Sequence, residues 1–181
     1  MRRLDETVRS TIEALALLRE ASLDHEQQEA LAIWGIKTIL AFCTKEPAER
    51  QSEFGATDLY RRFGEARQPL PGMHVWLGQR VREDGGASFR SFAVTLQDDT
   101  GHTIPALGAV LAVRHLVIYM LGPVSSPRLR VRFRYESAMA LKPLFPATGR
   151  SLTFPRPLGI APSDLTTFAQ FVGRDVAVTV Q

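Results

Sequence analysis

The chain has 181 residues, with 22 Lys and Arg against 19 Asp and Glu, and a single cysteine. That length is enough for one domain with a substantial core, and 45% hydrophobic against 23% charged residues excludes a disordered chain. One cysteine excludes an intrachain disulfide framework and a zinc site built from several cysteines, and no apolar run is long enough to span a membrane.

The first third of the sequence predicts helices. Apolar residues recur at three- and four-residue spacing over residues 4–20, which predicts an amphipathic helix. Asp24, followed by Gln27 three residues later, has the spacing of a capping box and predicts the start of a second helix. Apolar residues around Trp34 cover most of the circumference of this second helix. We therefore expect a central helix that ends near Lys45 and is buried on nearly all sides.

A short third helix precedes the change to strands. It is predicted over residues 57–65, with Leu59, Tyr60 and Phe63 on its inner face. The Pro and Gly residues at 68–72 then break the helical pattern.

The middle of the sequence predicts an antiparallel meander. Residues 73–81 alternate as a strand, and the turn signal at 83–86 joins them to a return strand over 88–97. The apolar run 109–121 is interpreted as one central strand because it is rich in Val and Ile. Another strand is predicted over 128–135.

The tail is rich in proline, and Ser163 with Asp164 predicts a short C-terminal helix. Helices, then a meander, then a helix indicate the α+β class, with an N-terminal helical layer packed on an antiparallel β-sheet. We expect a single domain over residues 1–181. Its helical part, its β-meander part and its Pro-rich tail span residues 1–67, 72–135 and 136–181.

Arginine dominates the positive charge, since 19 of the 22 basic residues are Arg. The strongest local signal is the alternation of Arg with apolar residues over 127–135, which places four guanidinium groups about 7 Å apart on one strand face. That spacing is compatible with contacts to a phosphate backbone. Two further arginines of the preceding hairpin extend the patch. The candidate nucleic-acid-binding residues are Arg128, Arg130, Arg132, Arg134, Arg80 and Arg90.

Two other interpretations of the same pattern stay open. Charged residues protect an edge strand against aggregation, so the arginines can serve only that purpose. They can also pair with carboxylates elsewhere on the sheet.

The sequence predicts no metal site and no cofactor. Four histidines are present, but no HxxxH, HxH or CxxC pair occurs. His25 is expected to face solvent at a helix start, and His115 to lie inside the apolar strand. Asp98, Asp99 and His102 are interpreted as turn residues rather than as a carboxylate–histidine pair.

Nucleophilic catalysis has no support in the sequence either. Cys43 falls on the buried face of the second helix, where we expect a thiol with a raised pKa. The chain contains no GxSxG elbow, no SxxK and no P-loop pattern. The early acidic residues Asp5 and Glu6 are unlike a secretory signal, so we expect a cytoplasmic location with no membrane partner.

Three segments, residues 1–9, 31–38 and 69–78, resemble the C-terminal half of a poorly characterised family of actinobacterial proteins related to HNH endonucleases. The resemblance covers most of the chain, through packing patterns rather than catalytic motifs. In that family an N-terminal segment carries the cysteines and histidine of the nuclease. No residue of the present chain matches those positions, so the resemblance implies a bacterial accessory domain that acts beside a nuclease module.

These observations favour a non-catalytic binding domain that contacts DNA or RNA through the Arg-rich strand. The alternative is a protein–protein or assembly domain, in which the same surface binds an acidic protein partner or a second copy of the chain. A third hypothesis is a small-molecule enzyme that uses His74, His115 or Asp99. It requires those side chains to converge in one pocket.

Overall fold

The structure is a computed structural model that describes residues 2–49, 51, 55–81, 86–97, 100–123, 129–133, 141–155 and 176–180. The helices of this part are α1 (Arg2–Ala16), α2 (His25–Cys43) and α3 (Ala56–Ala66). The strands are β1 (Ala21–Leu23), β2 (His74–Gln79), β3 (Ala87–Gln97), β4 (Thr103–Val113), β5 (Leu116–Pro123), β6 (Leu129–Phe133), β7 (Lys142–Phe145), β8 (Leu152–Phe154) and β9 (Val176–Val180).

The main sheet has five antiparallel strands in the order β3-β4-β5-β2-β7. Two further antiparallel pairs, β1-β8 and β6-β9, join segments that are far apart in the chain. The α+β class, with helices and an antiparallel sheet, is therefore confirmed. The predicted C-terminal helix after Ser163 lies outside the described residues.

Helix α2 begins as the sequence predicts. The backbone N–H of Gln27 donates to Asp24 Oδ1 at 2.8 Å, and the backbone N–H of Asp24 donates to Gln27 Oε1 at 3.0 Å. This reciprocal pair satisfies two helix-terminal donors. The helix ends at Cys43, two residues before the predicted end.

The middle of α2 is covered on most sides, as expected, because no residue of 30–41 is exposed, but its fully buried residues lie on one face. Its buried residues recur at three- and four-residue spacing on one face, while Trp34 is only half-buried and Phe42 is 39% exposed. The opposite face carries the ion pair between Lys37 and Asp5, which joins α2 to α1. Trp34 therefore lies beside the core of the helical layer rather than at its centre.

The other two helices differ from the prediction at their edges. Helix α1 ends at Ala16 rather than near residue 20, because Leu18 takes a positive φ of 54° that no helix contains. In α3, Leu59 and Phe63 are buried as expected. Tyr60 is 37% exposed, so its predicted inward position is wrong.

The apolar run interpreted as one central strand is a hairpin. Strands β4 and β5 pair in antiparallel register from Val113 opposite Leu116 to Ala106 opposite Pro123. Arg114, with φ of 52°, and His115 form the turn between them. The two polar residues that interrupt the apolar run are therefore the point where the chain reverses.

The five-stranded sheet is covered on both faces. On one face the helices pack against alternate strand residues, among them Val75, Leu77 and Ile118, and we call this the helix-side core. The other alternate residues, among them Trp76 and Tyr119, form a second core on the opposite face, which we call the ribbon-side core. Because both faces are covered, every residue of β2 and β5 is buried.

Gln28 fixes the start of α2 against the second half of the chain. Its buried side-chain amide donates to the carbonyl of Leu23 at 2.9 Å and to the carbonyl of Arg150 at 2.7 Å. These bonds hold the β1-β8 pair next to the helix terminus. Among the described helices, none is long and apolar enough to cross a membrane.

Candidate functional site

The Arg-rich segment forms one strand of a two-stranded ribbon. The strand predicted over 128–135 is described over Leu129–Phe133, where it pairs with β9. Arg130 and Arg132 lie within it. Arg128 and Arg134 lie outside the described residues. We call the β6-β9 pair the ribbon.

The register of the ribbon sorts its residues into two sets. Three pairs are entirely apolar, and they are Leu129 with Val180, Val131 with Val178, and Phe133 with Val176. The pairs that alternate with them are Arg130 with Thr179 and Arg132 with Ala177. Directly opposite residues of an antiparallel pair share a face. The ribbon is therefore amphipathic, and neither arginine has a carboxylate opposite it.

Val131 shows how the ribbon is held on the sheet. It is buried, with 8% exposure, and belongs to the ribbon-side core together with Trp76, Tyr119 and Leu121. Strand β9 also contacts β3, at one edge of the five-stranded sheet. The apolar set of the ribbon thus includes a residue that packs on the sheet, and the arginines occupy the alternate set.

An aromatic row lies in the ribbon-side core. The rings of His74 and Trp76 are stacked at 5.5 Å, and Tyr119 follows at 5.4 Å from Trp76 and 6.3 Å from Phe92. Trp76 is 4% exposed and Tyr119 is fully buried. Burial raises the pKa of the Tyr119 phenol above its usual range, because the phenolate would lose its hydration.

Phe92 at the end of the aromatic row packs directly on a glycine. A Cβ atom added at Gly108, which lies opposite Phe92 in the β3-β4 ladder, would come within 2.3 Å of the Phe92 ring. The absence of a side chain at Gly108 therefore lets the ring lie flat on the neighbouring strand.

Arg80 does not belong to an open surface. It is 3% exposed, and its backbone N–H donates to the carbonyl of His115 at 2.8 Å. Arg80 was expected to extend the arginine patch, but Trp76, at an alternate position of the same segment, lies in the ribbon-side core. Arg80 is therefore removed from the candidate contact residues.

Arg90, the other residue expected to extend the patch, is exposed. It lies on β3, the strand that β9 contacts, and one of its guanidinium nitrogens donates to the carbonyl of Phe89 at 3.1 Å. Its neighbours Phe92, Val94 and Leu96, at alternate positions, belong to the ribbon-side core. Arg90 thus lies on the side of the sheet that carries the ribbon.

The structure does not bring the histidines of the enzyme hypothesis together. His74 pairs with Leu121, whereas Gln79 pairs with Leu116 beside His115. These points lie at opposite ends of the same ladder, about 17 Å apart at 3.3 Å per residue. The remaining member, Asp99, lies outside the described residues, as does Asp98.

The other candidates for chemistry are separate from one another. His25 and His102 are exposed, and His102 Nδ1 lies 2.7 Å from the hydroxyl of Thr100. Cys43 is 1% exposed, and burial raises its pKa to about 12, as the sequence predicts. Within the described ranges no group of three or more His, Cys, Asp or Glu residues could hold a metal ion.

The sequence did not predict that β9 pairs with the Arg-rich strand β6. Thr179 and Ala177 are the residues opposite Arg130 and Arg132, and they belong to a segment that is 43 or more residues away in the chain. The alternation of Val with Ala and Thr over Val176–Val180 was the available signal for a strand. It could not show which strand would be its neighbour.

Comparison with known proteins adds no relative. A scan against protein-family models, a search of curated proteins and a search of solved structures each gave no match. The likeness to HNH-endonuclease-related proteins therefore rests on the sequence segments alone.

Proposed function

We propose that this chain is a non-catalytic accessory domain that binds nucleic acid, with Arg130 and Arg132 of the ribbon as its phosphate contacts. The observation that carries the proposal is the register of the ribbon. Both arginines alternate with a residue that packs on the sheet, and the residues opposite them are Thr179 and Ala177. The two described strands of the ribbon contain no Asp or Glu.

Arginine is rarely buried unless it is paired, so it usually lies at a protein surface. Its guanidinium group can bind a phosphate through two parallel hydrogen bonds. Two arginines at alternate strand positions are about 7 Å apart, which allows contacts to successive phosphates of one strand. Arg90 on the neighbouring sheet edge supplies a third positive charge on the same side.

The likeness to nuclease-related proteins supports the same proposal. A domain that holds DNA or RNA beside a separate nuclease module would need positive charge but no catalytic residues of its own. A cytoplasmic location, where such a module meets its substrate, is part of this proposal.

The test is the salt dependence of binding to a labelled 20-base-pair duplex and a labelled 20-nucleotide single strand, followed by fluorescence anisotropy. Each phosphate contact contributes about 0.9 to the slope of log K against log salt. We expect the double variant Arg130→Ala/Arg132→Ala to reduce the magnitude of that slope by about 2. Circular dichroism at the same salt verifies that the variant is folded.

The matched control is Arg9→Ala/Arg19→Ala, which removes the same charge from exposed positions in and after α1. We expect it to retain the slope of the parent protein. The proposal fails if neither probe binds at 25 mM salt or if the two double variants behave alike. If light scattering then shows a homo-oligomer that Arg130→Glu/Arg132→Glu dissociates, the assembly function replaces it.

A further inference from the structure

The five-stranded sheet ends in two edge strands that differ in their protection against pairing with another strand. Strand β7 has only four residues, among them Lys142 and Pro143, and its register on β2 shifts between Val75 and Trp76. Short length, charge, proline and an irregular register are features by which native proteins protect an exposed sheet edge. The β7 edge combines them.

Strand β3, at the other edge, lacks most of this protection. Its eleven residues pair with β4 without a register shift, and they include no proline and a single charged residue, Arg90. Among the described strands only β4 is its neighbour in the sheet, since β9, which contacts β3, pairs with β6. Five residues of β3 are exposed, and they are Ala87, Arg90, Ala93, Thr95 and Gln97. Such a long, regular edge strand is suited to pairing with a further strand.

The helix side of β3 has two unlike ends. At one end Phe89 stacks on Phe42 of α2, with ring centroids 5.2 Å apart, and Phe42 is 39% exposed. We call these two residues the aromatic end. At the other end Ala93, Thr95 and Gln97 follow Phe89 at alternate positions on the same side, and all three are exposed. We call them the uncovered end, because the helical layer does not cover them.

We propose that β3 pairs in antiparallel register with β3 of a second copy of this chain, so that two five-stranded sheets form one continuous sheet. This inference is independent of the proposed function, because it uses a different surface. All eleven residues of β3 pair in one register only, in which Phe92 lies opposite Phe92 of the second copy. Phe89 then lies opposite Thr95 of the second copy, on the same face. The twofold symmetry therefore brings the aromatic end of each copy to the uncovered end of the other.

The charges of the strand also fit a second copy. In this register Arg90 lies opposite Val94 of the second copy, and the two Arg90 residues are about 13 Å apart along the strands. No like charges are therefore placed directly opposite each other, which would destabilise the pair. A strongly charged partner strand would find only one ionisable residue of β3 to match.

The first experiment measures the mass of the full chain by sedimentation equilibrium between about 1 and 200 µM, the range in which small interfaces associate. We expect a monomer–dimer equilibrium. The variant Arg130→Ala/Arg132→Ala should have the same dissociation constant as the parent, because the ribbon is not part of this interface. A monomer at every concentration would overturn the inference, as would a dimer that this variant weakens at least tenfold.

A matched pair of variants connects the dimer to the β3 edge. Thr95→Lys places a charge opposite Phe89 of the second copy, and we expect it to raise the dissociation constant at least tenfold. The control Thr103→Lys makes the same change at an exposed residue of β4, opposite Gln97 and one strand away from the edge. It should change the dissociation constant less than threefold. Equal dissociation constants of the two variants, with both shown to be folded by circular dichroism, would contradict pairing through β3.

Crosslinking tests the register. Ala87 and Gln97 are both exposed, and the proposed register places each opposite the other in the second copy. An equimolar mixture of the variants Ala87→Cys and Gln97→Cys, treated with oxidised glutathione, should therefore form the mixed disulfide. Each variant alone should form at least tenfold less disulfide dimer, because identical residues are then about 33 Å apart. Equal crosslinking in the mixture and in the separate variants would overturn this register.

Discussion

The two faces of the five-stranded sheet are both buried but are built differently. The helix-side core is mainly aliphatic and is covered by helices from the first third of the chain. The ribbon-side core contains the aromatic row and receives Val131 from the ribbon, whose two strands are far apart in the sequence. The first cover forms from local contacts, whereas the second requires closure of a long loop. One face of the sheet is thus covered by helices that are close together in the sequence, and the other face by two strands that are distant in the sequence.

The largest expected effect comes from matched truncations on the two faces. Ile118→Ala on the helix side and Leu121→Ala on the ribbon side each remove three carbon atoms from a fully buried residue of β5. Each should lower the free energy of unfolding by about 2–5 kcal/mol, because each leaves a cavity. Urea denaturation followed by circular dichroism measures both. A loss below about 1 kcal/mol for Leu121→Ala alone would mean that the ribbon-side cover is loosely attached.

A smaller effect is expected where Phe92 lies on Gly108. In Gly108→Ala the new methyl group meets the ring, so the ring must move and the free energy of unfolding should fall by about 1–3 kcal/mol. Adding Phe92→Leu should recover part of this loss, since the smaller side chain makes room. Thermal unfolding of the two single variants and the double variant gives the coupling between the two sites. If their changes in the free energy of unfolding are additive, the contact between Phe92 and residue 108 is contradicted.

Each face also contains one buried weak acid, and alkaline pH distinguishes them. The folded pKa of Cys43 is raised to about 12 from 9.0, so above pH 9 the unfolded chain loses this proton while the folded chain keeps it. The free energy of unfolding should therefore fall by about 1.4 kcal/mol per pH unit between pH 9 and 12. Tyr119, whose pKa is raised from 10.0, adds a similar decline that begins one unit higher.

Variants separate the two contributions. Cys43→Ala should flatten the decline that begins at pH 9, and Tyr119→Phe should flatten only the part above pH 10. Denaturation curves at half-unit intervals from pH 8 to 11 give the free energy of unfolding of the parent and of both variants. The other ionisable groups are the same in all three proteins, so differences between the profiles report on Cys43 and Tyr119. A Cys43→Ala profile parallel to that of the parent would show that water reaches the thiol in the folded state.

The sequence predicts local features of this fold well, because they depend on neighbouring residues. The capping box of Asp24 and Gln27 is confirmed, as is the return strand predicted over 88–97, which is β3. The turn at Arg114 was missed because it has no glycine and because both strands it joins are buried on two faces. Such strands have no alternation that would mark their ends.

The candidate site was predictable only in part. The alternation of Arg130 and Arg132 with apolar residues indicated a strand with a charged face. Arg80 was misplaced because its alternation with Trp76 gives no sign that the ribbon-side core covers that face. The pairing with β9 depends on a contact between distant segments, which no local pattern encodes.

Gln28 has a consequence for the order in which the protein can be made. Its amide binds a carbonyl that is 122 residues further along the chain, and β1 next to it pairs with Leu152–Phe154. The Arg150 carbonyl and β8 become available to this end of α2 only when residue 154 has left the ribosome, so the Gln28 amide lacks one of its two acceptors until then. A fragment that ends after the helical part would lack these partners, so we expect it to need a chaperone or to be degraded.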